Sequence, residues 1–202
     1  MRVYSYVVAQ DYGFAPNPFY GRCTLATCKP KIRKCAAVGD YIIGTGAAQR
    51  KRSGYLVFYM RVDETTTYDT YWDDPRFEHK RPRLRGSKKQ AFGDNIYHKN
   101  PRTSKWLQAD SYHSRPGGRP NPLNVDHDTQ CDRVLIATEF TYWGGEGPVI
   151  PVRLGSGDNA KFFGGRGYRL IPERIAMTLF EWIRSLDQQG CVGQPLDWSR
   201  SG

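Results

Sequence analysis

The side chains whose types and spacing could do chemistry fall in one short run, Gly93-Asp94-Asn95-Ile96-Tyr97-His98, with a further histidine at His113. A carboxylate such as Asp94 can steady a developing positive charge and orient a water. Asn95 can place that water, and Tyr97 can wall a pocket. His113 can pass a proton to a leaving group. Together these types suit attack of water on a carbon that turns cationic as its leaving group departs. An Asp-Asn pair is also common in plain β-turns, and a loop histidine is often a packing residue, so both roles stay open here. Asp11 and Asp128 are reserve carboxylates. In an extended chain the side chains of Asp126-His127-Asp128 point to alternate faces, so no metal is expected there.

Between His79 and Lys105, nine Lys or Arg stand against one acid, Asp94. Within the wider stretch 72–114, Trp72, Phe77, Phe92, Trp106, Tyr112 and His113 are flat side chains that can stack. Basic residues interleaved with rings suit a surface that follows a phosphate backbone and stacks bases. Backbone contacts are expected from Lys80, Arg83, Arg85, Lys88 and Lys89. More are expected from Lys29, Arg33, Arg50, Lys51 and Arg52, in a segment (29–61) with eight Lys or Arg against one acid, Asp40. The expected base pocket consists of Asp11, Phe14, Asn17, Phe19, Trp106 and Tyr112. The first four belong to a loop that Gly13, Pro16 and Pro18 keep irregular. Core packing is the alternative fate of those rings.

A formal charge of +10 and a pI near 9.5 over 202 residues favour a polyanionic partner. Nucleic acid is the expected one, and the family resemblance given below narrows it to DNA, double-stranded and carrying modified bases. No apolar run approaches a membrane span, and MRVYSYVVAQDYG reads as a strand rather than a signal peptide, so a soluble, cytoplasmic protein with no membrane partner is expected. Five cysteines include no C-x-x-C, and Cys23, Cys28 and Cys35 are spaced too loosely for a zinc ribbon. They read as thiols, and neither metal nor cofactor is expected. Walker loop, G-x-G-x-x-G after a strand, G-x-S-x-G and H-E-x-x-H are all missing, which removes support for nucleotide hydrolysis, dinucleotide chemistry and standard hydrolase triads.

These groups need a frame. Residues 2–9 alternate Val and Tyr as a strand, and 41–46 and 55–62 form a hairpin with a basic tip at 49–54. A further strand is expected over 133–143. Thr67–Trp72 reads as a helical turn ending at Pro75, periodicity fails from there to about 130, and a long irregular basic insertion is expected over 63–130. Pro172 opens a helix over 172–189, whose Ile175, Leu179, Ile183 and Leu186 form one apolar stripe. The expectation is a single α+β domain over 1–202, mostly β. Its core is a curved sheet or barrel from 1–62 and 131–152.

Three resemblances sharpen this. Lys29-Pro30-Lys31-Ile32-Arg33, then Val38-Gly39-Asp40-Tyr41-Ile42-Ile43-Gly44, then a strand ending Met60-Arg61-Val62, resemble the barrel core of PUA-like domains. Their EVE and YTH groups grip a flipped modified base. Asp11–Phe19, Cys23-Thr24-Leu25-Ala26-Thr27-Cys28-Lys29-Pro30, Gly93–Tyr97 and Ser111-Tyr112-His113-Ser114 resemble the nucleotide-modification-associated domain of bacteria and phages, over residues 1 to about 150. That family is linked to systems that make, read or attack hypermodified DNA bases. One activity this implies is a phage-defence DNA glycosylase removing bulky modified cytosines. Gly93–His98 is also similar to the Gly-Gln-Asp-Pro-Tyr-His water-activating motif of uracil-DNA glycosylases, although the family's Asp falls on Asn95 and its Pro on Ile96. The expected function is recognition of a flipped modified base with hydrolysis of its N-glycosidic bond, a reaction that base extrusion makes possible. Asp94, Asn95, Tyr97 and His113 would carry it. The alternatives are a non-catalytic reader of modified DNA and an enzyme acting on free modified nucleotides.

Overall fold

Val3–Val8 forms a strand because its Val and Tyr residues place one set of side chains on each face of a pleated sheet. It is the second strand of a six-stranded sheet in a computed structural model that describes residues 1–200. The chain divides into two compact units. The first comprises Met1–Tyr12, Ala36–Asp63 and the described part of Ala137–Gly202. The second comprises Gly13–Cys35 and Glu64–Ile136.

In the first unit the strands run in the order Tyr168–Leu170, Val3–Val8, Tyr41–Gly46, Leu56–Arg61, Phe140–Tyr142, Gly190–Cys191. The expected hairpin is present, with Ile43 opposite Tyr59. Gly44 is needed inside it, since a Cβ there would fall 2.2 Å from the Phe58 ring. The helix Glu173–Ser185 lays Ile175, Ala176, Leu179, Phe180 and Ile183 onto Val3, Ile43, Leu56, Trp143 and Ile150. Leu186 packs at its margin, so the apolar stripe is core as expected. The fold is α+β. Its main sheet is open, with different strands at its two edges, so the barrel alternative does not hold.

The second unit corrects the expectation of a structureless insertion. Residues 64–136 contain the strand Glu64–Thr66, the helix Tyr68–Asp73, the hairpin Tyr97–Lys99/Trp106–Gln108 and the helix Pro122–Asp128. They also contribute Val134–Ala137 to a three-stranded sheet with Cys23–Leu25 and Glu64–Thr66. The strand expected over 133–143 therefore breaks after Ala137, and Phe140–Tyr142 joins the other sheet. The elements are too short to impose a period on the sequence, and buried polar contacts such as those of Asp94 with Thr24 and Tyr71 lie among buried apolar side chains such as Leu25, Phe77 and Leu135.

Candidate thiol–imidazole–carboxylate site

Three short elements of the second unit bring a thiol, an imidazole and a carboxylate together. Cys28 follows the strand Cys23–Leu25 and precedes the helix Pro30–Cys35. Cys28 and Lys29 both adopt left-handed backbone, with φ of 56° and 43°. Side chains rarely tolerate that conformation, and consecutive cases mark a backbone held by its surroundings. The holding groups are present. The Cys28 amide donates to Asp128 Oδ1 at 2.8 Å, and the Cys28 carbonyl accepts from Arg33 Nε at 2.9 Å.

His113 Nε2 lies 3.7 Å from Cys28 Sγ, and its Nδ1 lies 2.8 Å from Asp128 Oδ2. Tyr97 donates its hydroxyl to the same Oδ2 at 2.9 Å. Thiol, imidazole and buried carboxylate thus stand in the order that a thiol nucleophile requires: a base in contact, and a third group orienting the base. Burial would lower the His113 pKa, but the Asp128 hydrogen bond and the Cys28 contact outweigh it and raise the group to about 9. At neutral pH the ring carries its proton.

The positioning follows from local sequence. Asn124 and Asp128 are four residues apart on the helix Pro122–Asp128, hence on one face. Asn124 Nδ2 donates to the His113 carbonyl at 2.8 Å while Asp128 holds the ring. Asp126 and His127 point outward, which is why the tripeptide does not converge. Tyr97 and Gln108 are directly opposed on the hairpin. Gln108 Nε2 donates to the Tyr97 hydroxyl at 3.1 Å and to the His113 carbonyl at 3.3 Å. A serine turn, with the Ser114 amide on the Ser111 carbonyl and the His113 amide on Ser111 Oγ, sets the backbone of His113.

Aromatic rings border the imidazole. Phe14 meets His113 at 4.7 Å between centroids and Tyr112 at 5.6 Å, and Phe92 meets Tyr112 at 5.4 Å. Phe14 is buried, whereas Tyr112 is 40% exposed and offers a ring face. Beside Cys28 in sequence, Lys29 is half-buried, and burial lowers its pKa.

The remaining expected residues fall elsewhere. Asp94 is fully buried, accepting from Thr24 Oγ1 at 2.7 Å and from the Tyr71 hydroxyl at 2.9 Å. Burial pushes its carboxyl up to about 6, against the pull of Lys80, Thr24 and Tyr71. Asn95 is also buried, donating to the carbonyls of Tyr71 and Phe77. Gly93 allows the turn, since a Cβ there would sit 2.2 Å from the Lys80 carbonyl oxygen. Asn17 accepts from Lys80 Nζ at 2.6 Å, and Phe19 is buried beneath Lys89. Trp106 stands edge-on to Tyr68 with Lys99 over its face. Asp11 belongs to the first unit, where it accepts from the Tyr142 hydroxyl and the Leu196 amide.

The expected phosphate contacts divide by burial. Arg83, Arg85, Lys88 and Lys89 are exposed, as is Lys51 in the first unit, whose Arg50 and Arg52 are half-buried. Arg33 and Lys80 need correcting, for both are buried. Lys80 serves the carbonyls of Asn17 and Arg22, and Arg33 those of Cys28, Asp128, Cys131 and Arg133. Their charges bind backbone oxygens of this chain, as the cost of burying an unpaired charge demands. The second unit carries 18 Lys and Arg against ten Asp and Glu, so it holds most of the formal positive charge.

Cys28 was missed by sequence reasoning as a functional residue, and Asp128 stood only in reserve. Cys28 and His113 are 85 positions apart, and His113 and Asp128 are 15 apart, so no local motif joins them. The available signal was one of five cysteines, one of four histidines and an aspartate, in a chain without disulfide spacing. The three residues are also ligand types for a metal, with donor atoms within 4.8 Å of one another. Asp128, however, spends Oδ1 on the Cys28 amide and Oδ2 on His113 Nδ1 and Tyr97. A cation between Cys28 Sγ and His113 Nε2 would face the opposite edge of the imidazole from that carboxylate. The donor set fits a nucleophile better than an ion.

No curated protein and no solved structure gives a significant match to the chain. A family model does match, the nucleotide modification associated domain 2, over residues 1–202. That description links the chain to modified nucleotides, and no helix among the described residues is long and apolar enough to cross a membrane. With the whole sequence covered, the chain belongs to the nucleotide modification associated domain 2 family.

Proposed function

We propose that this protein is an enzyme of nucleotide modification that uses Cys28 as its nucleophile on a modified nucleotide, with nucleic acid as the carrier. One observation carries the reading: the 3.7 Å contact of Cys28 Sγ with an imidazole whose far nitrogen is held by a buried carboxylate. His113, as an imidazolium beside the sulfur, already holds the thiol's proton and gives it to the leaving group as the sulfur attacks. Asp128 fixes the ring so that Nε2 faces the sulfur and stabilises the imidazolium. The family description supports a nucleotide substrate, and the excess of Lys and Arg in the second unit supports a polyanionic one.

Cleavage of the N-glycosidic bond is a second reading, favoured by the proton that His113 carries at neutral pH. A departing base needs such a donor. One experiment serves both. DNAs containing cytosine, hydroxymethylcytosine or glucosylated hydroxymethylcytosine are incubated with the full chain. One portion is digested to nucleosides for mass analysis, and the other is treated with alkali. An altered nucleoside without strand breaks, lost with Cys28→Ala, is the expected result. Alkali-sensitive breaks that survive Cys28→Ala would replace it with the glycosidic reading. Activity in neither assay, with no selectivity among the DNAs in binding, would count against both.

A further inference from the structure

Resting on the reading of Cys28 as nucleophile, we propose that the bond broken is an acyl bond, the amide joining an acyl substituent to the exocyclic nitrogen of a nucleobase. The acyl group then passes through a thioester on Cys28. Four observations converge on this.

The first is the nucleophile. A thiolate beside an imidazolium suits attack on a carbonyl carbon, where the departing amine must be protonated by the group that activated the sulfur. His113 Nε2, 3.7 Å from Sγ, is placed for both transfers. The second is the carboxylate. Glycosyl transfer needs a carboxylate facing the sugar, usually one of a pair. Asp128 has both oxygens engaged, by the Cys28 amide and by His113 and Tyr97, so none is turned towards a substrate. Third, Cys28 is half-buried rather than fully enclosed, as a residue that must meet a substrate requires. Finally, the rings of Phe14 and Tyr112 flank the imidazole that must protonate the leaving group. A flat leaving group, such as a base, stacks there.

The step balances without a further reagent. Cys28 thiolate adds to the carbonyl carbon. The carbon–nitrogen bond breaks as His113 protonates the amine, and the base leaves with its exocyclic NH2 restored. Water, deprotonated by His113, then adds to the thioester carbon. The carbon–sulfur bond breaks, the carboxylic acid departs, and thiolate and imidazolium are regenerated.

The test uses the full chain with p-nitrophenyl acetate and with an oligonucleotide containing N4-acetylcytosine. Peptide mass analysis locates any acetyl group, and nucleoside analysis follows its loss from the base. Cys35 and Cys191, which are exposed where Cys28 is half-buried, are internal controls for indiscriminate thiol acylation. The proposal expects a hydroxylamine-sensitive acetyl group on Cys28 ahead of those two, and conversion of N4-acetylcytosine to cytosine. His113→Gln should depress both this acylation and the alkylation of Cys28 by iodoacetamide.

If iodoacetamide singles out Cys28 while neither acyl probe acylates it, the acyl proposal is overturned and the thiol reading stands. If neither reagent distinguishes Cys28 from Cys35 and Cys191, both are overturned.

Discussion

Asp128 is the residue on which the site turns. It has no exposed surface and accepts from three donors: the Cys28 amide, the Tyr97 hydroxyl and His113. Substitution by Asn keeps the volume but offers His113 an N–H in place of a carboxylate oxygen. The imidazole then presents a protonated Nε2 to the sulfur and cannot accept its proton. Stability should report the same contact. His113 is raised to about 9 when folded, against about 6.5 when unfolded. The folded state therefore binds the extra proton between those values, and stability from this group is full below about pH 6.5 and lost as pH rises through 9. The loss amounts to at most about 3 kcal/mol. Denaturant unfolding across this range should show the decline in the wild type. Asp128→Asn should flatten it. An unchanged slope in the variant would show that Asp128 does not hold the His113 proton.

At the scale of elements, the helix Pro30–Cys35 matters through one buried side chain. Arg33 reaches the carbonyls of Cys28, Asp128, Cys131 and Arg133, and its guanidinium lies over the Tyr68 ring. It thereby ties the backbone of the nucleophile to that of the orienting carboxylate. A lysine has the charge but not the planar fork, so it cannot serve four carbonyls in these directions. Arg33→Lys should cost about 3 kcal/mol or more in unfolding free energy, in the range for breaking a buried charge network. It should also slow Cys28 alkylation in the fraction that remains folded. A variant as stable and reactive as wild type would remove Arg33 from the account.

Legibility follows the same scale. The strand Val3–Val8, the hairpin and the helix Glu173–Ser185 were readable because each repeats one period against one core. The short elements of 64–136 were not, since their positions are set by buried polar contacts such as Lys80 with Asn17. His113, Tyr97 and Tyr112 were named as site residues from their chemistry. Cys28 sat within a quoted resemblance, yet nothing in the linear sequence joined it to His113. Asp94 and Asn95 illustrate the converse. Their spacing suggested a reaction centre, and the fold encloses them in hydrogen bonds to Thr24, Tyr71 and Phe77.

Over the whole molecule, the division of labour is chemical. In the first unit the C-terminal helix covers an open sheet and closes an apolar core, while the second unit buries apolar side chains such as Leu25, Phe77 and Leu135. The second holds the buried polar networks, most of the net positive charge and the thiol site. A family defined by nucleotide modification thus has, in this member, a site with the parts for covalent chemistry and a charge that favours a polyanion. The central claim is that Cys28 is activated by His113. It is tested most directly by measuring the rate of iodoacetamide alkylation at each cysteine by peptide mass analysis, from pH 5 to 9. The account predicts that Cys28 reacts faster than the more exposed Cys35 and Cys191, and that this advantage persists at acid pH and disappears in His113→Gln. Rates ordered by exposure alone, with Cys28 behind Cys35 and Cys191 and indifferent to His113, would contradict it.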